Sequence, residues 1–169
     1  MIAIHPETAA DRGAIAALNI LAFDGRDEAD IMDRLRADRL VIASLVAEVN
    51  REIVGHILFS ELPIETRVRR IRGAALAPMA VAPSLQRRGI GSRLVRSGLN
   101  ACRAQGVEVV VVLGHPDYYP RFGFSAELAQ HLQAPFSGPA FMALELETGI
   151  LDGVEGTVHY PNAFGLDTA

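Results

Sequence analysis

The stretch from Ala74 to Leu113 constrains the fold more than any other part of the chain. It reads as an apolar strand over Ala74–Val81 interrupted by Pro78, a Gly- and Arg-rich turn from Ser84 to Gly91, an amphipathic helix, and a nearly continuous β-branched run from Val107 to Leu113. Ile90, Leu94, Val95, Leu99 and Cys102 fall on one helical stripe, and Arg93, Arg96, Asn100 and Arg103 fall off it. Gly106 is placed to end that helix. A unit of about forty residues built this way is a crossover that returns the chain to the same sheet. Proline cannot donate a ladder hydrogen bond, so Pro78 marks an edge, a bulge or a place where pairing stops.

The flanks extend the pattern. Ile2 to Ile4 reads as a short first strand, and Thr8 with Asp11 has the spacing of a capping box ahead of a helix carrying Ile15, Leu18, Ile20, Leu21 and Phe23. Asp27 to Ala37 predicts a shorter helix. Leu40–Val49 and Ile53–Leu62 predict a hairpin around the polar Asn50-Arg51-Glu52. The arginines of Thr66–Arg72 alternate with Val68 and Ile71, as at the solvated entry of a strand, and no aromatics interleave them as a nucleic-acid patch would require. Phe141 to Glu147 predicts a late strand, and the Gly-, Pro- and Asn-rich tail beyond it predicts loops. The expectation is one mixed α/β domain over residues 1–169, with a core of about 2–147 and a tail of 148–169 packed on it.

Composition removes whole classes of chemistry. All 16 basic residues are Arg, so lysine Schiff bases, lysine general bases and the P-loop lysine are excluded. The single Cys excludes a disulfide framework and Cys-rich zinc sites, and no metal is called for. Cys102 itself lies on the apolar helical stripe and reads as core. A net charge of -4 gives no whole-chain attraction to nucleic acid or anionic membrane. No run approaches the roughly 18 apolar residues of a membrane span, and no secretory leader opens the chain. A cytoplasmic location is expected.

The turn from Gln86 to Ser92 is the candidate binding element. A helix start leaves its first backbone N–H groups unpaired at the positive end of the helix dipole. Gly89 and Gly91 allow those groups to converge on an anion, and Arg87 and Arg88 add charge beside them. Leu94 stands where a dinucleotide fingerprint needs its third Gly, and the turn lies mid-chain, so nicotinamide or flavin binding is not expected despite Glu108 downstream.

Met79-Ala80-Val81 followed by Gln86-Arg87-Arg88-Gly89-Ile90-Gly91 resembles the signature of the GCN5-related N-acetyltransferases, whose loop reads Q/R-x-x-G-x-G/A. Tyr119-Pro120-Arg121-Phe122-Gly123-Phe124 resembles that family's Y-x-[KR]-x-G-F segment. The stretch Gly114-His115-Pro116-Asp117-Tyr118-Tyr119 is similar to the G-[HD]-P-x-Y-Y end of the fifth strand in small bacterial predicted acetyltransferases.

The resemblance implies a central, mostly antiparallel sheet splayed at the cofactor site and flanked by helices. It also implies acetyl transfer from acetyl-CoA to an amine by direct attack. Met79, Ala80 and Val81 would offer backbone groups to the pantetheine arm. Gln86, Arg87, Arg88, Gly89, Ile90, Gly91 and Ser92 would form the loop and helix start that cradle the pyrophosphate. Tyr119 would be the general acid that protonates the departing thiolate. The family's usual Asn after the fifth strand, with its helix, is replaced by Gly114-His115-Pro116-Asp117-Tyr118; Pro116 shortens that helix, and His115 or Tyr118 would substitute for the lost contacts.

An amine with a pKa of about 10.4 holds its proton at pH 7 by about 4.6 kcal/mol, so the site must accept that proton. Glu61, His115 or a water chain would take it. The acceptor amine is not readable from the sequence, with a small molecule, a peptide or a protein terminus all open, and a homodimer is possible on the family's precedent. Two other readings stay open on sequence: a non-catalytic acyl-CoA sensor, and a nucleotide-binding regulator.

Overall fold

The computed structural model describes residues 1–166. In chain order the elements are β1 (Ala3–Pro6), α1 (Arg12–Phe23), α2 (Asp27–Ala37), β2 (Val41–Val49), β3 (Glu52–Thr66), β4 (Arg70–Val81), α3 (Ile90–Ala104), β5 (Val109–Leu113), α4 (Ala126–Ala129), β6 (Leu132–Gln133), β7 (Phe141–Glu145) and β8 (Gly156–Val158). The sheet runs β1-β2-β3-β4-β5-β7, with β8 joined to the far end of β3 and β6 joined to β8. Every pairing is antiparallel except β4 with β5 and β6 with β8. This is the mixed α/β, mostly antiparallel architecture expected from sequence.

Local chemistry sets the elements. The Asp11 carboxylate accepts from the Thr8 N–H at 2.8 Å and from its hydroxyl at 3.0 Å, ordering the turn that leads into α1. Asn50 and Arg51 both adopt left-handed φ, 50° and 65°, as a two-residue hairpin turn between twisted strands requires. Thr66 closes the β3–β4 connection through its hydroxyl, which donates to the Arg69 carbonyl at 2.6 Å.

Strand alternation gives the sheet two dry faces. On one, α3 lays Ile90, Leu94, Val95, Leu99 and Cys102 against Ile57, Phe59, Leu76, Val110 and Val112. On the other, Ile15 of α1 with Met32 and Leu35 of α2 cover Val46 and Leu58. The segment after β5 covers Leu62, Ile64, Val109 and Val111 on that same side. The tail departs from expectation: it contributes β8, paired with Ile64–Thr66, because β3 continues past Leu62 and offers an unpaired edge. Residues 167–169 of that tail lie outside the described residues.

The Arg-rich turn is pinned by carboxylates. Arg69 pairs with Glu108 at 2.7 Å, Arg70 pairs with Glu65, and Arg72 pairs with Glu61 at 2.6 Å. Among the described residues no helix is long and apolar enough to cross a membrane.

Candidate active site

The site begins with a failure of pairing. β4 and β5 run in parallel over only Gly73–Ala75 opposite Val109–Val111. Beyond Ala75, β4 keeps its ladder with β3 as far as Val81 but, among the described residues, has no partner on the β5 side. Opposite the single residue Leu58, β4 carries two, Ala77 and Pro78, so the proline sits in a bulge at the point of divergence. The structure thereby selects among the readings left open for Pro78. The two strands part like the arms of a V.

The backbone of one arm faces the gap. Ala82 donates its N–H to Val54 of β3 at 2.8 Å, and Ala80 lies opposite His56. The alternation of an antiparallel ladder then turns the N–H and C=O of Met79 and Val81 away from β3. The Gln86 side-chain amide donates to the Val81 carbonyl at 3.2 Å, which ties the loop to the end of the strand. The remaining groups of Met79, and the Val81 N–H, stay open to the gap.

At the mouth of the V lies the start of α3. Gly89 is its cap with φ +83°, a conformation glycine supplies without strain, and the space beside its Cα is open. The first intrahelical bond runs from the Arg93 N–H to the Gly89 carbonyl, so the N–H groups of Ile90, Gly91 and Ser92 have no helical acceptor. Arg87 and Arg88 are exposed beside them, and among the described residues neither is ion-paired. Unpaired N–H groups and the helix dipole make this spot electropositive, with Arg87 and Arg88 in the adjoining turn, an arrangement that suits a phosphate-like anion.

The other arm ends in two tyrosines. After Gly114 the chain forms a short turn, Tyr119–Phe122, where a longer helix would otherwise stand. Tyr119 is 7% exposed and packs edge-on to Phe124 with ring centroids 5.7 Å apart. Burial, with Tyr118 close by, pushes its hydroxyl up to about 12. Tyr118 is partly buried, and its hydroxyl reaches Ser92 of α3 at 3.3 Å. Sequence reasoning named Tyr118 only as a substitute contact; the geometry makes it the side chain that bridges the gap.

The two candidate bases stand at different places around the V. His115 follows the end of β5 and is exposed, and its carbonyl accepts from Tyr118 at 3.1 Å. Glu61 stands opposite Ala74, where β4 and β5 still pair, and its carboxylate is held by Arg72. Arg72 in turn donates to the Gln105 carbonyl just past α3, some fifteen residues or about 22 Å from that helix's start. Glu61 thus stands on β3 beside the vertex of the V, far from the start of α3, with its carboxylate engaged by Arg72. Cys102 is fully buried, its thiol pushed up to about 12 by desolvation, and serves as core. Surface cavities of about 500, 390 and 480 Å³ open elsewhere, near β8, beside α4 and beside Arg36. The V is a strand-edged groove, a shape suited to an extended ligand rather than a globular one.

Comparison with known proteins agrees with this geometry. A match to the acetyltransferase (GNAT) family spans residues 14–124, from α1 through the tyrosine segment. The chain belongs to the GNAT acetyltransferase family. Among its GNAT relatives is YhbS of Escherichia coli K12, known as an uncharacterised N-acetyltransferase, 32% identical over 166 residues that make up 95% of this chain and 97% of that one. Another is YjhQ of the same organism, also called an uncharacterised N-acetyltransferase, 37% identical over 71% of this chain and 67% of the relative. The crystal structure of E. coli YhbS in complex with CoA superposes with a TM-score of 0.87 at 30% identity, covering 98% of this chain and 92% of that chain. A GNAT acetyltransferase from Brucella melitensis, solved with acetyl-CoA, gives 0.80 at 32% identity over 97% and 98%. As a GNAT protein, the chain is an enzyme of an acyl-CoA-dependent acetyltransferase family.

Proposed function

We propose that the protein moves an acetyl group from acetyl-CoA to an amine, with direct attack of the amine on the thioester. The observation that carries this reading is the V between β4 and β5, with a phosphate-type receptor at its mouth. Its support from relatives is that YhbS was crystallised with CoA and the Brucella enzyme with acetyl-CoA.

The residues present fit such a molecule. Met79 and Val81 offer backbone groups along one wall, as a strand edge does to an added strand. Ile90, Gly91 and Ser92 offer N–H groups, and Gln86, Arg87 and Arg88 line the loop, for the pyrophosphate. Acetyl-CoA supplies the activated acyl group and a thiol leaving group. The work left to the chain is to orient, to polarise and to move two protons. The outward N–H groups of β4 stand where a thioester carbonyl laid along the strand would accept a hydrogen bond. Tyr119 holds its proton throughout the neutral range, because burial disfavours the phenolate, and is the donor to the leaving thiolate in this reading. The amine's proton leaves by way of His115 or water on the β5 side.

The reading is tested by following thiol release from acetyl-CoA against a panel of small and peptide amines, with mass spectrometry of the product. Acetylated amine formed in proportion to free thiol is the expected result. A protein that binds acetyl-CoA and acetylates none of the panel would favour a sensor instead.

A further inference from the structure

The two tyrosines at the end of β5 are neighbours in sequence with unlike surroundings. The Tyr119 ring is held in the core. Tyr118 is wedged edge-on against Tyr119 and Phe122, with centroids 5.1 and 5.3 Å away, and the Arg121 guanidinium lies 4.5 Å over its ring. Arg121 also donates from Nε to the Tyr118 carbonyl at 2.9 Å. Clamped on these sides, the ring sends its hydroxyl across the gap to the first turn of α3. There the oxygen is 3.3 Å from Ser92 Oγ and 3.2 Å from where a Cβ on Gly91 would stand. That same point is 3.7 Å from Met79 Cε and from Val81 Cγ2. The phenol therefore sits where the unpaired N–H groups of α3 meet the open edge of β4.

We propose that Tyr118 is a cofactor-positioning residue: its hydroxyl, together with that of Ser92, completes the pyrophosphate cradle of acetyl-CoA from the β5 side. The inference rests on the acetyl-CoA reading above and adds to it the wall opposite the helix. At 3.3 Å the Ser92 contact is long for two hydroxyls, whose bonds centre near about 2.75 Å. A phosphate oxygen in the same place would offer a shorter, charge-assisted bond, so the present partner is readily exchanged. The backbone N–H groups of α3 approach from one side, with Arg87 and Arg88 in the turn before them. Tyr118 supplies a directional donor from the other, and Arg121 adds positive charge on the outer face of its ring. Pro116 and the short turn that follows leave little helix after β5 to present such a donor. The tyrosine side chain, about 6.5 Å from Cα to hydroxyl by ordinary bond lengths, spans the distance instead.

The chain has no Trp and three Tyr, and the third, Tyr160, packs with Phe136 and Phe164 on the opposite face of the sheet. Tyrosine emission therefore reports on this site. The experiment titrates CoA into the wild-type protein and the variants Tyr118→Phe, Ser92→Ala and Tyr119→Phe, reading calorimetric heat and emission, with melting temperature as the control for folding. Tyr118→Phe is expected to raise the Kd for CoA about tenfold and to abolish most of the CoA-induced change in emission, whereas Tyr119→Phe keeps that change. Ser92→Ala is expected to weaken CoA about threefold, and it carries the test if Tyr118→Phe fails to fold. Wild-type binding with a Kd for Tyr118→Phe within twofold, or for Ser92→Ala unchanged where only that variant folds, overturns the role of Tyr118 alone. Absence of CoA binding by the wild type overturns the acetyl-CoA reading and this inference with it.

Discussion

Gly114 passes so close beneath the ring of Tyr119 that a Cβ at position 114 would collide with the ring carbons. The end of β5 is thus shaped around the tyrosine, and glycine is there for the missing side chain. Gly114→Ala is expected to cost about 1–3 kcal/mol of stability, the usual range for overpacking a full site. It should also lower turnover, because the ring can relieve the clash only by leaving its place between Phe122 and Phe124. Urea unfolding and steady-state kinetics check both; unchanged stability would mean that the chain end moves freely there.

Tyr119→Phe removes the hydroxyl and keeps the ring. It is expected to lower kcat about 10²–10³-fold, the range for loss of a positioned proton donor, with CoA affinity retained. Because burial holds the hydroxyl at about 12, the wild-type rate should not fall between pH 8 and 10 through loss of this proton. A pH profile with a descending limb in that interval, absent from Tyr119→Phe, would place the phenol in a less buried state than the fold gives it.

Acid should weaken the fold through His56. This imidazole has no exposed surface; its Nε2 bonds to Ser44 Oγ at 2.8 Å, and among the described residues Nδ1 has no partner. Burial, against the opposing pull of Glu7, lowers it from 6.5 to about 4. The folded pKa lies below the unfolded one, so the unfolded chain takes up the proton first. Stability is full above about pH 7 and falls as the pH drops from 6.5 to 4, by up to about 3 kcal/mol for 2.5 units. Glu7 adds to the loss at lower pH: burial pushes its carboxyl up, but hydrogen bonds from Arg36 and Ser44 prevail and hold it below its ordinary value. Denaturant midpoints at pH 7.5, 5.5 and 4.5 measure the slope, and a flat series contradicts it.

Glu61→Gln separates the two ends of α3. The Glu61–Arg72 pair is partly exposed, with side chains 30% and 40% accessible, so its loss should cost no more than about 1 kcal/mol. Since Arg72 engages the Glu61 carboxylate, the pH dependence of kcat/KM is expected to match that of the wild type. Loss of an ascending limb in this variant would return Glu61 to the chemistry.

Much of this was legible because local rules and tertiary packing agree. The hydrophobic stripe of α3 and the break at Pro78 depend on residues near in sequence, and so did the hairpin at Asn50-Arg51. What escaped depended on contacts distant in the chain. β8 is three residues, Gly156–Val158, and is a strand only because β3 runs on to Thr66 beside it. Glu61 alternates onto the α3 face as a strand residue should, but nothing local reveals that Arg72 claims its carboxylate. Tyr118 and Tyr119 are the same residue type and adjacent, so only packing around Gly114 and Ser92 seats the Tyr119 ring in the core and carries the Tyr118 hydroxyl to the start of α3. Pro78 marked a disturbance of the strand without saying which kind, and the splay came only from the family resemblance; which side chains line the gap depends on packing.

The most direct test of the central claim is a calorimetric titration of acetyl-CoA into the wild-type protein and into Arg88→Glu, which places a carboxylate beside the free N–H groups of α3. Saturable micromolar binding by the wild type, weakened at least tenfold by the charge reversal, is the result expected of a groove between β4 and β5 built for acetyl-CoA. No heat at millimolar acetyl-CoA, or equal affinity in both proteins, would contradict it.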